Sequence, residues 1–184
     1  MNITIVKAIG DEEYAREHKG IMSAIDALQK EHQVDVFDAD KMQINACTGC
    51  WTCWVKEPGK CVFDDDMVDI YKSIVKSDKL IFVSKIKAGF VQKEIRKVTE
   101  RMFATLLPYI TVLKDEFHHF PRYDKQAKLG LVVVGEEEHD TEQEEILKEY
   151  MYRLSLNFNK ATGNFVHYFS AGKEKELVNE INNI

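Results

Sequence analysis

The sequence predicts an α/β protein: a three-layer sandwich on a doubly wound, five-stranded parallel sheet in the order 2-1-3-4-5. Three observations carry this. Apolar, β-branched runs alternate with helical stripes five times along the 184 residues, and strand–helix alternation implies parallel strands joined by crossovers. Two of the runs, Leu80-Ile-Phe-Val83 and Leu129-Gly-Leu-Val-Val-Val134, are continuously apolar, as strands covered on both faces are. The chain is long enough to bury its own core, and it reads as a single domain, residues 1–184, without repeats or low-complexity tracts.

The elements follow in order. Residues 2–9 form a short β-branched strand that ends at Gly10. Ile21, Ile25 and Leu28 put a helical stripe on residues 12–30. Val34-Asp-Val-Phe37 is a second strand. Residues 38–63 have no clean period and are read as a loop excursion with a function, because loops of that length are rarely idle. Asp64-Asp65-Asp66 opens a helix, whose orphan N–H groups and dipole suit carboxylates; Ile70 and Ile74 mark its apolar face. After the strand at 80–83, Val91, Ile95, Val98 and Met102 mark a helix limited by Pro108. Residues 109–127 read as irregular. The strand at 129–134 precedes a helix at 141–157 carrying Ile146, Tyr150 and Leu154. Asn164 to Phe169 is the last strand, and 172–182 the last helix. In this topology ligands sit at the carboxyl ends of the strands near the switch point. That singles out residues 10–14, 84–90 and 135–140.

Composition removes some functions. A formal charge of −6 argues against a nucleic-acid partner, since phosphate binding needs a basic surface. No stretch reaches the ~20 apolar residues of a membrane span, and the N-terminus lacks the pattern of a secretory signal. The expected location is cytoplasmic. There, clustered cysteines point to metal binding or catalysis rather than disulfides.

All four cysteines fall in one short block, Cys47-Thr-Gly-Cys50-Trp-Thr-Cys53 and then Cys61. Two-residue spacings let a tight turn aim sulfurs inward, and a distal fourth cysteine completes a set for an iron–sulfur cluster. Zinc accepts the same four thiolates. Free or redox-active thiols packing a loop are the third reading. Trp51 and Trp54, interleaved with the cysteines, either shield such a site or bury the loop in an interface.

Three stretches together resemble the flavodoxin-like NAD(P)H-dependent FMN reductase family, in particular its iron–sulfur flavoprotein branch. They are the cysteine block with its Asp64-Asp65-Asp66-Met67 tail; Leu80 to Ser84 leading into Ala88-Gly89-Phe90 and the following helix to Arg101; and Leu129 to Gly135. The resemblance spans most of the chain, and its cysteine block is the most specific part. It implies a flavodoxin-like fold and FMN held by Gly10, Ser84, Lys85, Ile86, Lys87, Ala88, Gly89, Phe90 and Gly135. It favours a [4Fe–4S] cluster on Cys47, Cys50, Cys53 and Cys61. It also implies NAD(P)H or a redox protein as electron donor, a small-molecule or protein acceptor such as a quinone, and a homodimer or higher homo-oligomer. The chain departs from the family pattern in its three flavin loops. The first, where the family has Gly-Ser-x-Arg and binds the FMN phosphate, reads Gly10-Asp11-Glu12-Glu13-Tyr14. A like-charge pair about 5 Å apart costs roughly 3 kcal/mol at an effective dielectric near 20. Lys85 and Lys87 replace a proline and an aromatic residue, and the third loop reads Gly135-Glu-Glu-Glu-His139.

The remaining polar residues carry weaker readings. Adjacent His118 and His119 do not face one way on a regular element, so they make no joint metal site, and a solvated loop is expected. Arg122 has the geometry to hold a phosphate or carboxylate. His139 and His167 read as structural, and Glu136 to Glu138 as a solvated helix approach. Lys85 and Lys87 either serve an anionic ligand or pair with the acidic first loop. No general acid or base stands out. The resulting expectation is a redox protein using FMN and a cysteine-bound cluster; the alternative is a flavin-free binding or scaffold protein that has lost the phosphate site.

Overall fold

The computed structural model describes residues 1–10, 14–135, 140–159 and 164–184. Five parallel strands form the main sheet: β1 (Asn2–Ala8), β2 (Gln33–Asp38), β3 (Lys79–Lys87), β7 (Lys128–Val134) and β8 (Asn164–Phe169). Their spatial order, β2-β1-β3-β7-β8, is the predicted 2-1-3-4-5 order. The switch point lies between β1 and β3, which pair from Ile3 with Lys79 to Ala8 with Ser84.

Alternation along each strand separates two cores. On one face Ile3, Ile5, Ile81, Val83, Val132 and Val134 pack under α1 (Ala15–Gln29) and α6 (Glu174–Asn183). On the other, Val6, Leu80, Phe82, Leu131 and Val133 pack under α3 (Met67–Ile74), α4 (Lys93–Arg101) and α5 (Thr141–Asn159). Each fully buried Ile, Leu or Phe contributes about 1.5–3 kcal/mol. These two cores therefore fix the strand ends on which any site is mounted.

Two expectations change. First, residues 109–127 are not irregular throughout. β5 (Leu106–Leu113) and β6 (Glu116–Pro121) form a separate antiparallel two-stranded sheet. Lys114 and Asp115 make its turn with φ of 51° and 63°, the twist a two-residue hairpin needs. The usual signal, an Asn-Gly or Asp-Gly pair, is missing, which hid the hairpin. Second, residues 84–90 are not a plain loop. β3 runs on to Lys87, turns at Ala88 and Gly89 (φ 51° and 77°), and β4 (Phe90–Val91) pairs back on it. The excursion between β2 and α3 contains only α2 (Thr52–Val55) as regular structure. Among the described residues, no helix is long and apolar enough to cross a membrane.

Candidate functional site

The carboxyl ends of β1, β3 and β7 lie side by side in the sheet, and several of the expected residues follow them. Gly10 follows β1 with φ of 69°. Among the described residues, a side chain there would meet the Lys85 ammonium, at 3.9 Å. Around Gly89 and Gly135 a Cβ would find nothing within 4 Å among the described residues. Lys85 is half-buried and its Nζ lies 5.5 Å from the centre of the Tyr14 ring. Lys87 and Ala88 are exposed.

Other expected residues are turned elsewhere. The Ser84 hydroxyl is sealed at 0% exposure, where it accepts the Gln92 N–H at 2.9 Å and donates to the Lys85 carbonyl at 2.8 Å. It therefore holds the β3–β4 hairpin onto the start of α4. Ile86 packs at the edge of the α3–α4–α5 core, and Phe90 meets Tyr150 edge to face at 4.9 Å. Asp11, Glu12, Glu13, Glu136 to Glu138 and His139 lie outside the described residues.

One residue at the crevice escaped the sequence reading. Asp40, just past β2, accepts the Gly10 N–H on Oδ2 at 2.9 Å. The placement follows from register: Lys7 pairs with Asp38, and the Ala39 N–H reaches the Lys7 carbonyl at 2.8 Å. The chain leaving β2 is thereby carried alongside the end of β1. The signal was present in the predicted strand order, which sets the second strand beside the first.

The cysteine excursion is closed at its neck. Asp65 accepts both N–H groups of the Arg101 fork at 2.9 and 3.0 Å, and the backbone and side-chain amides of Asn45 at 2.9 and 3.0 Å. Arg101 also donates to the Asn45 carbonyl at 2.9 Å and lies 5.3 Å from the Phe63 ring centre. Asp66 accepts the Gln43 N–H at 2.7 Å. The residues before Cys47 are thus tied to those after Cys61. Of the helix-opening carboxylates, Asp65 does accept the Met67 N–H at 3.2 Å, while the capping residue Asp66 makes no side-chain cap. Burial raises the Asp65 carboxyl, but the Arg101 fork and the Asn45 amides outweigh it and hold it down at about 2.

Inside the excursion, Cys47 and Cys50 are exposed and Cys53 and Cys61 half-buried, all as free thiols. Burial first, then the nearby Cys61, Cys47 and Cys50, pushes the Cys53 thiol up. Cys50 is held low by its hydrogen bond with the Thr52 hydroxyl at 3.4 Å and by the Thr52 backbone. Cys47, Gly49, Trp51, Cys53, Trp54 and Phe103 line a cavity of about 150 Å³. Among the described residues, no three Cys, His, Asp or Glu side chains form a group able to hold a metal ion.

The hairpin forms the back of this loop. Trp54 Nε1 donates to the Phe103 carbonyl at 2.9 Å, and its ring lies 4.6 Å from His119. Arg122 is engaged by backbone carbonyls. Its guanidinium donates to the carbonyls of Ala104, Leu106 and Cys53 at 3.1, 3.0 and 3.3 Å. His118 is buried on the other face beside Glu116, at 3.1 Å. The two histidines do face opposite ways, as expected, but on a strand rather than a solvated loop. His167 is buried, 4.0 Å from Glu180.

Comparison with known proteins places this geometry. No protein-family model matches the chain. An iron-sulfur flavoprotein of Archaeoglobus fulgidus is 32% identical over 109 residues, 56% of this chain and 47% of that protein. One from Methanocaldococcus jannaschii is 28% identical over 98 residues, 53% of this chain and 49% of that protein. The chain spans about half the length of these curated relatives. Among solved structures, the NAD(P)H:quinone oxidoreductase of Methanothermobacter marburgensis superposes with a TM-score of 0.63 at 12% identity, over 98% of this chain and 95% of that one. An FMN-dependent NADH-azoreductase of Bacillus anthracis, in complex with FMN, gives 0.63 at 9% identity, over 99% and 98%. The chain is a flavodoxin-like protein by fold, and its sequence resembles the iron–sulfur flavoproteins.

Proposed function

We propose that this chain is a flavodoxin-like redox protein that binds FMN in the crevice at the ends of β1, β3 and β7. It would accept electrons from NAD(P)H or a redox protein and pass them to an acceptor of the quinone type. The observation that supports the reading is that Gly10, Gly89 and Gly135 follow β1, β3 and β7, which lie side by side at the switch point of a doubly wound sheet. Such turns let a planar ring approach the backbone closely. In this reading Gly89, where a Cβ would meet no described atom within 4 Å, leaves room for a flavin ring, and Lys85 contributes a cation beside Tyr14. When bound, a flavin supplies the bridge between two-electron hydride transfer and one-electron steps. The chain's own part is to hold the ring: the Ser84–Gln92 bond fixes the β3–β4 turn, and the Lys85 charge favours electron density on a nearby ring.

The finer part of the reading is an iron–sulfur cluster on Cys47, Cys50, Cys53 and Cys61, supported by their spacing and by the names of the relatives. The thiols as folded do not form a metal-binding group, so no electron step is routed through them. A homodimer in the cytoplasm completes the proposal. The exposed apolar side chains Ile110, Val112 and Phe117 on the hairpin and Trp51 on the cysteine loop supply a surface for it.

The test is the spectrum of the chain purified without oxygen and supplied with FMN. We expect flavin absorption near 450 nm that stays with the protein on gel filtration. Iron and acid-labile sulfide, measured on the same sample, report the cluster separately. A colourless protein that takes up no FMN would sink the flavin reading.

A further inference from the structure

We propose that the cavity between the cysteine loop and Phe103 is a binding slot for one uncharged, electron-poor six-membered ring, of the quinone or nitroarene class. This deepens the acceptor part of the reading above and rests on it: the slot is where the acceptor is held.

The walls set both size and charge. Cys47, Gly49, Trp51, Cys53, Trp54 and Phe103 line about 150 Å³. An apolar cavity of that size holds one benzene ring, whereas larger ligands take pockets of roughly 300 Å³ or more. No carboxylate, ammonium or guanidinium is among the walls, so a nucleotide or flavin phosphate would bury its charge there unpaired. Two of the four cysteines take part. Cys50 is exposed with its Sγ on the Thr52 hydroxyl at 3.4 Å, and Cys61 is not among the walls. The slot is thus an aromatic site rather than a four-sulfur cage.

Two indoles give it its chemistry. Trp54 is the fixed one: its Nε1 donates to the Phe103 carbonyl at 2.9 Å, and its ring packs on Phe103 at 5.5 Å and on His119 at 4.6 Å. Trp51 stands 5.0 Å from it, tilted by 54°, and is 60% exposed. Its φ is 61°, a conformation that bulky side chains rarely adopt. The backbone is held there because the Trp51 carbonyl accepts the N–H groups of Trp54 and Val55, each at 3.0 Å. The strain keeps an exposed indole at the mouth of an apolar cavity, and strain of this kind collects at ligand clamps. An indole face is electron-rich, so it attracts the electron-poor face of a quinone or nitroarene in offset stacking. The polarizable sulfurs of Cys47 and Cys53 suit the same ring.

The chain has two tryptophans, so its two indole N–H resonances report the slot directly. The experiment titrates the isotope-labelled chain, purified without oxygen, with nitrobenzene, which does not alkylate thiols as simple quinones do. Both resonances should shift and saturate together. Toluene, a ring of similar size without the electron deficiency, should bind about threefold more weakly or worse. Trp51→Gly removes one wall, and glycine adopts a positive φ without strain, so the loop is kept. Nitrobenzene binding, read from Trp54, should then weaken about fivefold or more, with far-UV circular dichroism and FMN affinity unchanged. Shifts that do not saturate in the native chain, equal affinity for toluene, or undiminished binding in Trp51→Gly overturns the slot. FMN uptake by the same sample tests the flavin reading separately. A chain that takes up FMN and fails to bind the ring loses the slot alone; one that binds the ring and takes up no FMN keeps the slot and loses the flavin.

Discussion

Asp65 is the residue on which the cysteine loop closes. Its side chain is 7% exposed and that of Arg101 1%. Breaking such a pair by removing one partner leaves an uncompensated buried charge, at about 3–5 kcal/mol. The same contact makes stability depend on pH. In the folded chain the carboxyl titrates at about 2, against an ordinary value of 3.8. The unfolded chain therefore binds the proton first. The stabilisation is complete above about pH 5 and fades as pH falls through 4 toward 2. The shift corresponds to about 2 kcal/mol. Urea unfolding across this range should show Asp65→Asn less stable at pH 7 and with a shallower acid limb than the native chain. Equal acid limbs would refute the assignment. In the sequence, Asp65 was legible as part of a helix start and Arg101 as the end of another helix. Their pairing was not, because the two stand 36 positions apart and no local pattern links them.

Among the elements, the hairpin of β5 and β6 does most to shape the candidate site. It bears His119 against Trp54, and Arg122 just beyond it reaches the Cys53 carbonyl. The guanidinium stem also lies against Gly59, where a Cβ would come within 3.3 Å of Arg122. Arg122→Ala should therefore loosen the excursion without unfolding the sheet. We expect alkylation of Cys53 to speed up several-fold, with far-UV circular dichroism unchanged. An unaltered rate would show that the Trp54 contacts suffice. The sequence hid this element because its turn, Lys114-Asp115, carries positive φ on residues other than glycine. By contrast β1, β3 and β7 were legible, because buried parallel strands write themselves as continuous apolar runs.

At the level of the whole molecule, the sheet holds two separate features: the crevice at the strand ends, and the cysteine loop backed by the hairpin. The exposed face of Ile110, Val112 and Phe117 continues toward Trp51 and Phe103, all more than a third exposed. Burying that face is the simplest use for it under the dimer proposal. Phe117→Glu should shift sedimentation toward the monomer, with far-UV circular dichroism unchanged. A native chain that sediments as a monomer at tens of micromolar would remove the dimer from the proposal.

The sequence by itself determined the layer architecture, the strand order and the cysteine block, since each is written in local periodicity or in residue spacing. Only the tertiary structure decided which polar groups meet. It placed Asp40 on the Gly10 amide, Arg101 on Asp65 and Arg122 on the Cys53 carbonyl, and it turned Ser84 and Phe90 inward. Those pairings depend on register between strands and on loops returning to each other across tens of residues. A hydrogen bond leaves no period in the chain, whereas a buried face does.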